Sequence, residues 1–356
     1  MAGHAEYLLR VFRRAPGGAG FEPAPLENTP DVDRIRARPE LMRTLVDALR
    51  DPATLARIDQ GVVVLPDVLL AKRALTFAPR GFGRLANQPY TRLLGDRLRD
   101  LDLSGRRTIA SPRALLRRLD GLSCTGCHQT RSIAGFHLLG EDSAATTAGN
   151  AIAVAASPHL LRDLPRRARF VQGLVSPAGP GAADARPPAE RADEGEGGFG
   201  SRCGLGDPAF AAWTCDPGLT CQAVDVPSDA PLVGQCFPQV AAVGAPCAVG
   251  RVTASADPHK DRVIKVVESS CGDEGLCETN GVGFPGGMCA MPCAGGRAFG
   301  DCIKENVRPA GLRRCDATTP CRDDYICART PKGEVDCMPP YFLFQLRVDG
   351  HPRLAL

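Results

Sequence analysis

The spacing of apolar side chains changes several times along the chain. Between residues 5 and 26 they fall in short runs broken by Pro16-Gly17-Gly18, which predicts a strand pair, Tyr7 to Phe12 turning back along Phe21 to Leu26. From Asn28 to about Phe170 the period is helical. Arg38-Pro39-Glu40 opens an amphipathic run with Leu41, Leu45, Val46 and Leu49 on one face, and Asp51-Pro52 closes it. A short helix at about Pro52 to Ile58 follows, then Val62-Val63-Val64-Leu65, which fits a strand or a buried turn. Ser111-Pro112 and Ser157-Pro158 each announce a helix, serine as the cap and proline in the first turn; Leu115, Leu116 and Leu119 give the first of these its apolar face. The fold class read from this pattern is a mainly α N-terminal domain with a short β pair.

Beyond residue 174 the pattern fails. Val175 to Gly200 opens with Ser-Pro-Ala-Gly-Pro-Gly, closes with Glu-Gly-Glu-Gly-Gly-Phe-Gly and has almost no bulky apolar residue, the composition of a flexible linker. Residues 201–356 then hold 14 of the 16 cysteines: Cys203, Cys215, Cys221, Cys236, Cys247, Cys271, Cys277, Cys289, Cys293, Cys302, Cys315, Cys321, Cys327 and Cys337. The expectation is a small disulfide-rich C-terminal domain with little regular structure. Five residues separate Cys215 from Cys221, Cys271 from Cys277, Cys315 from Cys321 and Cys321 from Cys327. Three units are visible, running from Cys203 to Cys236, Cys247 to Cys289 and Cys315 to Cys337, with Cys293 and Cys302 as an extra pair. Spacing leaves the connectivity open. The apolar tail, Tyr341 to Val348, predicts a strand packed back on a domain.

Charge adds little. Residues 1–174 carry 26 basic against 17 acidic side chains and the remainder 17 against 23, a front half of +9 and a back half of −6. Only five basic residues are lysine, the arginines alternate with acids and leucines, and aromatics are scarce, so no nucleic-acid partner is expected. No apolar run reaches the length of a membrane span, so no transmembrane segment is expected.

Clustered disulfides persist in an oxidising compartment, so the expected location is extracytoplasmic: periplasm, cell surface or secreted. The first 20 residues lack an apolar leader, and the expectation is that the chain begins inside a folded element, its native signal peptide missing.

One motif carries chemistry. Cys124-Thr125-Gly126-Cys127-His128 is C-x-x-C-H, the spacing at which two thiols on one helical turn can add to the two vinyl groups of a haem while the next residue offers an imidazole to iron. Here the chain resembles the c-type cytochromes, over these five residues and the helix leading into them. The resemblance implies one covalent haem c, with Cys124 and Cys127 as thioether attachment points and His128 as proximal iron ligand. The family's downstream methionine has no counterpart between His128 and the linker. His137, His159 and, upstream, Met42 are the candidate distal ligands, and an open sixth position is an alternative that would favour ligand binding or peroxide reactivity.

Two other uses of the motif stand beside this one. Cys124 and Cys127 could form a local disulfide, or they could hold zinc together with His128 and His137. A redox motif of the thioredoxin kind would follow a strand in a βαβ unit, and none is visible. Gly281 to Gly286 matches G-x-G-x-x-G but carries Pro285 where a helix should begin. The reading is therefore an exported protein: residues 1–174 a helical haem domain, 175–200 a linker and 201–356 a cysteine-rich repeat domain. Its role would be electron transfer or haem-based binding at the cell envelope, through a redox partner or envelope protein that the sequence does not identify. The alternative is a cofactor-free secreted binding or adhesion protein.

Overall fold

The computed structural model describes residues 5–18, 20–78, 87–128, 158–176, 184–188, 190–191, 197, 201–223 and 232–238, and six short strands beyond them. The front part begins with β1 (Ala5–Leu9), β2 (Val11–Arg14) and β3 (Phe21–Ala24). The expected pair forms only between β2 and β3, with Val11 opposite Ala24 and Arg14 opposite Phe21. Tyr7 to Leu9 belong instead to β1, which leaves the hairpin at Arg10 and pairs antiparallel with a strand some 70 residues onward. Long-range pairing of this kind leaves no local signal.

The helices follow in order: α1 (Val32–Ala37), α2 (Pro39–Arg50) and α3 (Pro52–Gln60). Asp51 accepts a hydrogen bond from Thr54 N at 2.7 Å and so caps α3, while Pro52 sits where its missing N–H costs nothing. Gly61 ends α3 with φ 75°, a left-handed cap. Residues 62–66 are extended but form no strand; Val63 and Leu65 point into the core and Val64 to solvent. A 3₁₀ turn at Asp67–Leu69 leads to β4 (Ala74–Ala78), which pairs with β1 so that Tyr7 lies opposite Thr76. After α4 (Pro89–Leu94) comes α5 (Pro112–Leu122), capped by Ser111, whose Oγ accepts from Ala114 N at 3.0 Å. The four-residue turn α6 (Cys124–Cys127) and the helix α7 (Pro158–Val175) complete the front part. Leu45, Leu49, Ile58, Leu69, Tyr90, Leu94, Leu115 and Leu119 form the heart of its core. Among the described residues no helix is long and apolar enough to cross a membrane.

Part of the stretch read as a linker is docked. Arg186 N donates to Gln60 O at 2.7 Å, Arg117 pairs with Glu190 at 2.9 Å, and Glu190 and Arg191 are buried. These contacts are polar and backbone-mediated, which is why a composition poor in apolar residues does not reveal them.

The cysteine-rich part opens with a three-stranded sheet of β5 (Arg202–Gly204), β6 (Leu219–Gln222) and β7 (Val233–Pro238), with β7 in the centre. Cys203 bonds Cys221 and Cys215 bonds Cys236. This unit sits on α5: Ala114 packs with Phe210, Trp213 and Val233, and Ser111 Oγ donates to Asp207 Oδ2 at 2.6 Å. Three further antiparallel pairs follow: β8 (Arg251–Thr253) with β9 (Arg262–Lys265), β10 (Leu276–Glu278) with β11 (Met288–Ala290), and β12 (Ile326–Arg329) with β13 (Val335–Met338). These pairs are short, three or four residues to a strand. The tail at 341–348 and the glycine motif at 281–286 lie outside the described residues.

The hairpins repeat one register. Cys221 lies opposite Cys236, Cys277 opposite Cys289 and Cys327 opposite Cys337. In the first unit these facing cysteines do not bond each other; each bridges to an earlier cysteine, first to third and second to fourth. With Cys271 and Cys321 standing six positions before Cys277 and Cys327, as Cys215 does before Cys221, the same scheme gives Cys247–Cys277 with Cys271–Cys289, and Cys315–Cys327 with Cys321–Cys337. Mass-spectrometric mapping of unreduced peptides is expected to recover these pairs, and bridges between adjacent units would refute the repeat.

Candidate functional site

The C-x-x-C-H motif is a joint. Helix α5 stops at Leu122, and Ser123 turns the chain: its Oγ donates to Asp120 O at 2.6 Å and accepts from Gly126 N at 3.0 Å, capping the single turn of α6. Cys127 N reaches Ser123 O and His128 N reaches Cys124 O, each at 2.9 Å. Gly126 lies so close to the end of α5 that an added Cβ would fall 2.0 Å from Asp120 O and 3.2 Å from Asn87 O. Glycine between the two cysteines is thus a steric requirement of the joint.

Neighbouring elements pin this turn from both sides. Cys124 N donates to Thr29 Oγ1 at 2.8 Å, tying the first cysteine to the segment after β3. Thr76 on β4 is fully buried and its hydroxyl lies 2.8 Å from His128 O and 3.1 Å from Thr125 O. Beneath, the Asp120 carboxyl accepts from Tyr90 N at 2.7 Å and Thr91 Oγ1 at 2.6 Å, capping α4, whose own N-cap residue Gln88 makes no side-chain bond. Tyr90 in turn donates from its hydroxyl to Asn28 O at 2.8 Å. Burial raises the Asp120 carboxyl to about 7, more than its hydrogen bonds from Thr91 and Tyr90 can offset.

Cys124 and Cys127 are half-buried thiols that are not joined in a disulfide. Burial raises both above the ordinary thiol range, Cys127 to about 12, so at neutral pH each keeps its proton. His128 ends the turn, and desolvation, followed by the nearby cations of Arg167 and Arg186, lowers its proton affinity. Its imidazole is therefore neutral at pH 7, the form that ligates a metal.

Met42 lies on α2, half-buried against the helical core. His159 belongs to the first turn of α7, and His137 lies outside the described residues. Among the described residues the cysteine, histidine and carboxylate ligand atoms that gather within 4.8 Å are those of Cys203, Cys215 and Cys221, and all three sulfurs are already spent in disulfides. Cys124, Cys127 and His128 are not among them.

What residue reading missed is the support: Thr29, Thr76, Asp120 and Ser123, each an ordinary polar residue until the fold places it. Arg186, from the docked stretch, is the least expected; it pairs with Glu27 at 3.4 Å and contributes positive charge to both thiols and the imidazole. Comparison of the chain with protein-family models, curated proteins and solved structures found no match.

Two outcomes test this geometry. Gly126→Ala is expected to cost about 2 kcal/mol or more, because the methyl must displace backbone rather than side chain; an unchanged urea midpoint would refute the close approach. Asp120, with its folded value near 7, binds its proton more tightly in the folded than in the unfolded chain, whose aspartate titrates near 4. Stability should then fall as pH rises from about 4 to about 7, by on the order of 4 kcal/mol from this group, and level off above. In Asp120→Asn, which can still accept from Tyr90 N, that slope should vanish.

Proposed function

We propose that this chain is an exported protein that carries one c-type haem on Cys124, Cys127 and His128 and serves electron transfer or haem-based binding at the cell envelope. The observation that supports this most is the arrangement of the motif: two unbridged thiols on one capped helical turn, followed directly by a histidine. These residues fit the group in their donor chemistry. Thioether attachment consumes an S–H and a vinyl C=C at each cysteine, and thiols kept protonated and unoxidised are the form that such an addition uses. Bound there, haem would supply one-electron redox chemistry or an iron-centred ligand site.

The chain's own residues have defined tasks in this reading. Ser123 and Gly126 hold the turn so that both sulfurs leave from one rigid unit. Thr29 fixes the backbone at Cys124, and Thr76 fixes it at His128, so the imidazole is oriented from the main chain outward. Arg167 and Arg186 add to desolvation in lowering the proton affinity of that imidazole, and they supply positive charge suited to the two propionates of a haem. The disulfide-built hairpins support export, since the two bonds formed in the first unit need an oxidising compartment to persist.

The test is a pyridine haemochrome spectrum on protein expressed through a periplasm that matures c-type cytochromes, extracted with acid acetone. A c-type band should survive extraction in the wild type and be shifted or lost in Cys127→Ala. A colourless protein with Cys124 and Cys127 joined as a disulfide would overturn the reading in favour of a cofactor-free secreted binding protein.

A further inference from the structure

A second site lies away from the motif. Between α3, α5, the docked stretch and the first cysteine unit there is a cavity of about 650 Å³, the size of a small-molecule pocket. One wall is aromatic: Phe210 and Trp213 meet edge to face with ring centroids 4.9 Å apart, and the Arg191 guanidinium stacks 5.9 Å over the Trp213 ring. The lining is also cationic. Arg107, Arg117, Arg118, Arg186 and Arg191 line the cavity against only two carboxylates, Asp59 and Glu190.

Those carboxylates are engaged elsewhere. Asp59 accepts from Thr108 N at 2.6 Å and Arg107 N at 3.1 Å, and Glu190 pairs with Arg117 at 2.9 Å. Arg186 turns its guanidinium to Glu27. Arg118 is the exception. It is 7% exposed, and its hydrogen bonds go to two backbone carbonyls, Ile58 O at 3.3 Å from Nε and Arg186 O at 2.6 Å from Nη2. No carboxylate among the described residues is hydrogen-bonded to it, although Glu190 and Asp59 act on its charge from a distance. Gly61 is part of this arrangement, because a Cβ there would lie 2.3 Å from Arg118 Nη2.

A buried guanidinium without a bonded anion is costly, and proteins resolve that cost by pairing the charge. Desolvation has already lowered Arg118 to about 10. The cavity beside it has room for the missing anion. Glu190 and Asp59 stand close enough to disfavour a doubly charged phosphate, whereas a single planar carboxylate matches the guanidinium fork. We propose that this cavity binds a small organic carboxylate, its head on Arg118 and its apolar body against Phe210 and Trp213. The site is independent of haem, since Cys124, Cys127 and His128 do not line it.

Isothermal titration of the full-length, disulfide-bonded protein with 3-phenylpropionate tests this, and reads the same whether or not haem is attached. Saturable binding is expected, with the neutral 3-phenylpropionamide about tenfold weaker or more, the loss that goes with a hydrogen-bonded charge. Arg118→Lys should weaken the acid similarly by removing the planar fork. Because Arg118 also holds two carbonyls, so that replacing it perturbs the fold as well as the site, Ala212→Phe is the second test: Ala212 is an exposed lining residue, and a ring there should block the acid without changing the thermal midpoint. No binding, equal binding of acid and amide, or binding unaffected by Ala212→Phe would each overturn the proposal.

Discussion

The buried carboxyl of Asp120 is the constraint on which the front of the molecule depends. Its side chain caps α4, its backbone oxygen receives Ser123, and the same carbonyl leaves no room for a side chain at position 126. Through Tyr90 the network reaches Asn28, whose amide is itself clamped to Val63 O at 2.8 Å and Leu65 N at 3.0 Å. Thr29, the next residue, closes the circuit at Cys124 N. A continuous set of hydrogen bonds therefore joins the post-strand segment, the extended stretch after α3, two helices and the C-x-x-C-H turn. Buried polar networks stabilise one arrangement because each member left unpaired would carry its full desolvation cost.

That circuit explains why a four-residue turn, far too short to be stable alone, can present two thiols and an imidazole in a set order. It also separates two kinds of cysteine within one chain. Those of the first repeat unit are consumed in disulfides that hold small hairpins with little apolar core, whereas Cys124 and Cys127 rest on a conventional helical core and stay unbridged. The docked stretch joins the two regions. Arg186 and Glu190 connect it to the helical part, and Arg191 reaches Arg202 O and Thr214 O of the first cysteine unit at 2.8 and 3.1 Å.

Much of the helical part was legible because it obeys local rules. Leu41, Leu45 and Leu49 face the core as their spacing requires, and Ser111-Pro112 begins a helix by capping. The motif itself was legible as five adjacent residues. The partner of β1, the docking of residues 184–191 and the support around Cys124 were not, since each depends on residues brought together from far along the sequence. Asp120 illustrates the limit: it looks like one more polar residue at the end of an amphipathic helix, and only its burial to 1% exposure shows that it caps a different one. The short strand pairs of the cysteine-rich part were not located in advance, because strands of three or four residues lie below the length at which alternation can be read.

The central claim is that the capped turn at residues 124–128 exists to carry a covalent group. The most direct measurement is the intact mass of the denatured, reduced chain after passage through a periplasm with the c-type maturation machinery. The account requires the mass of the chain plus one haem, retained under conditions that strip any non-covalent ligand. A chain that returns only its own mass, with both thiols at positions 124 and 127 free to alkylate, would contradict it.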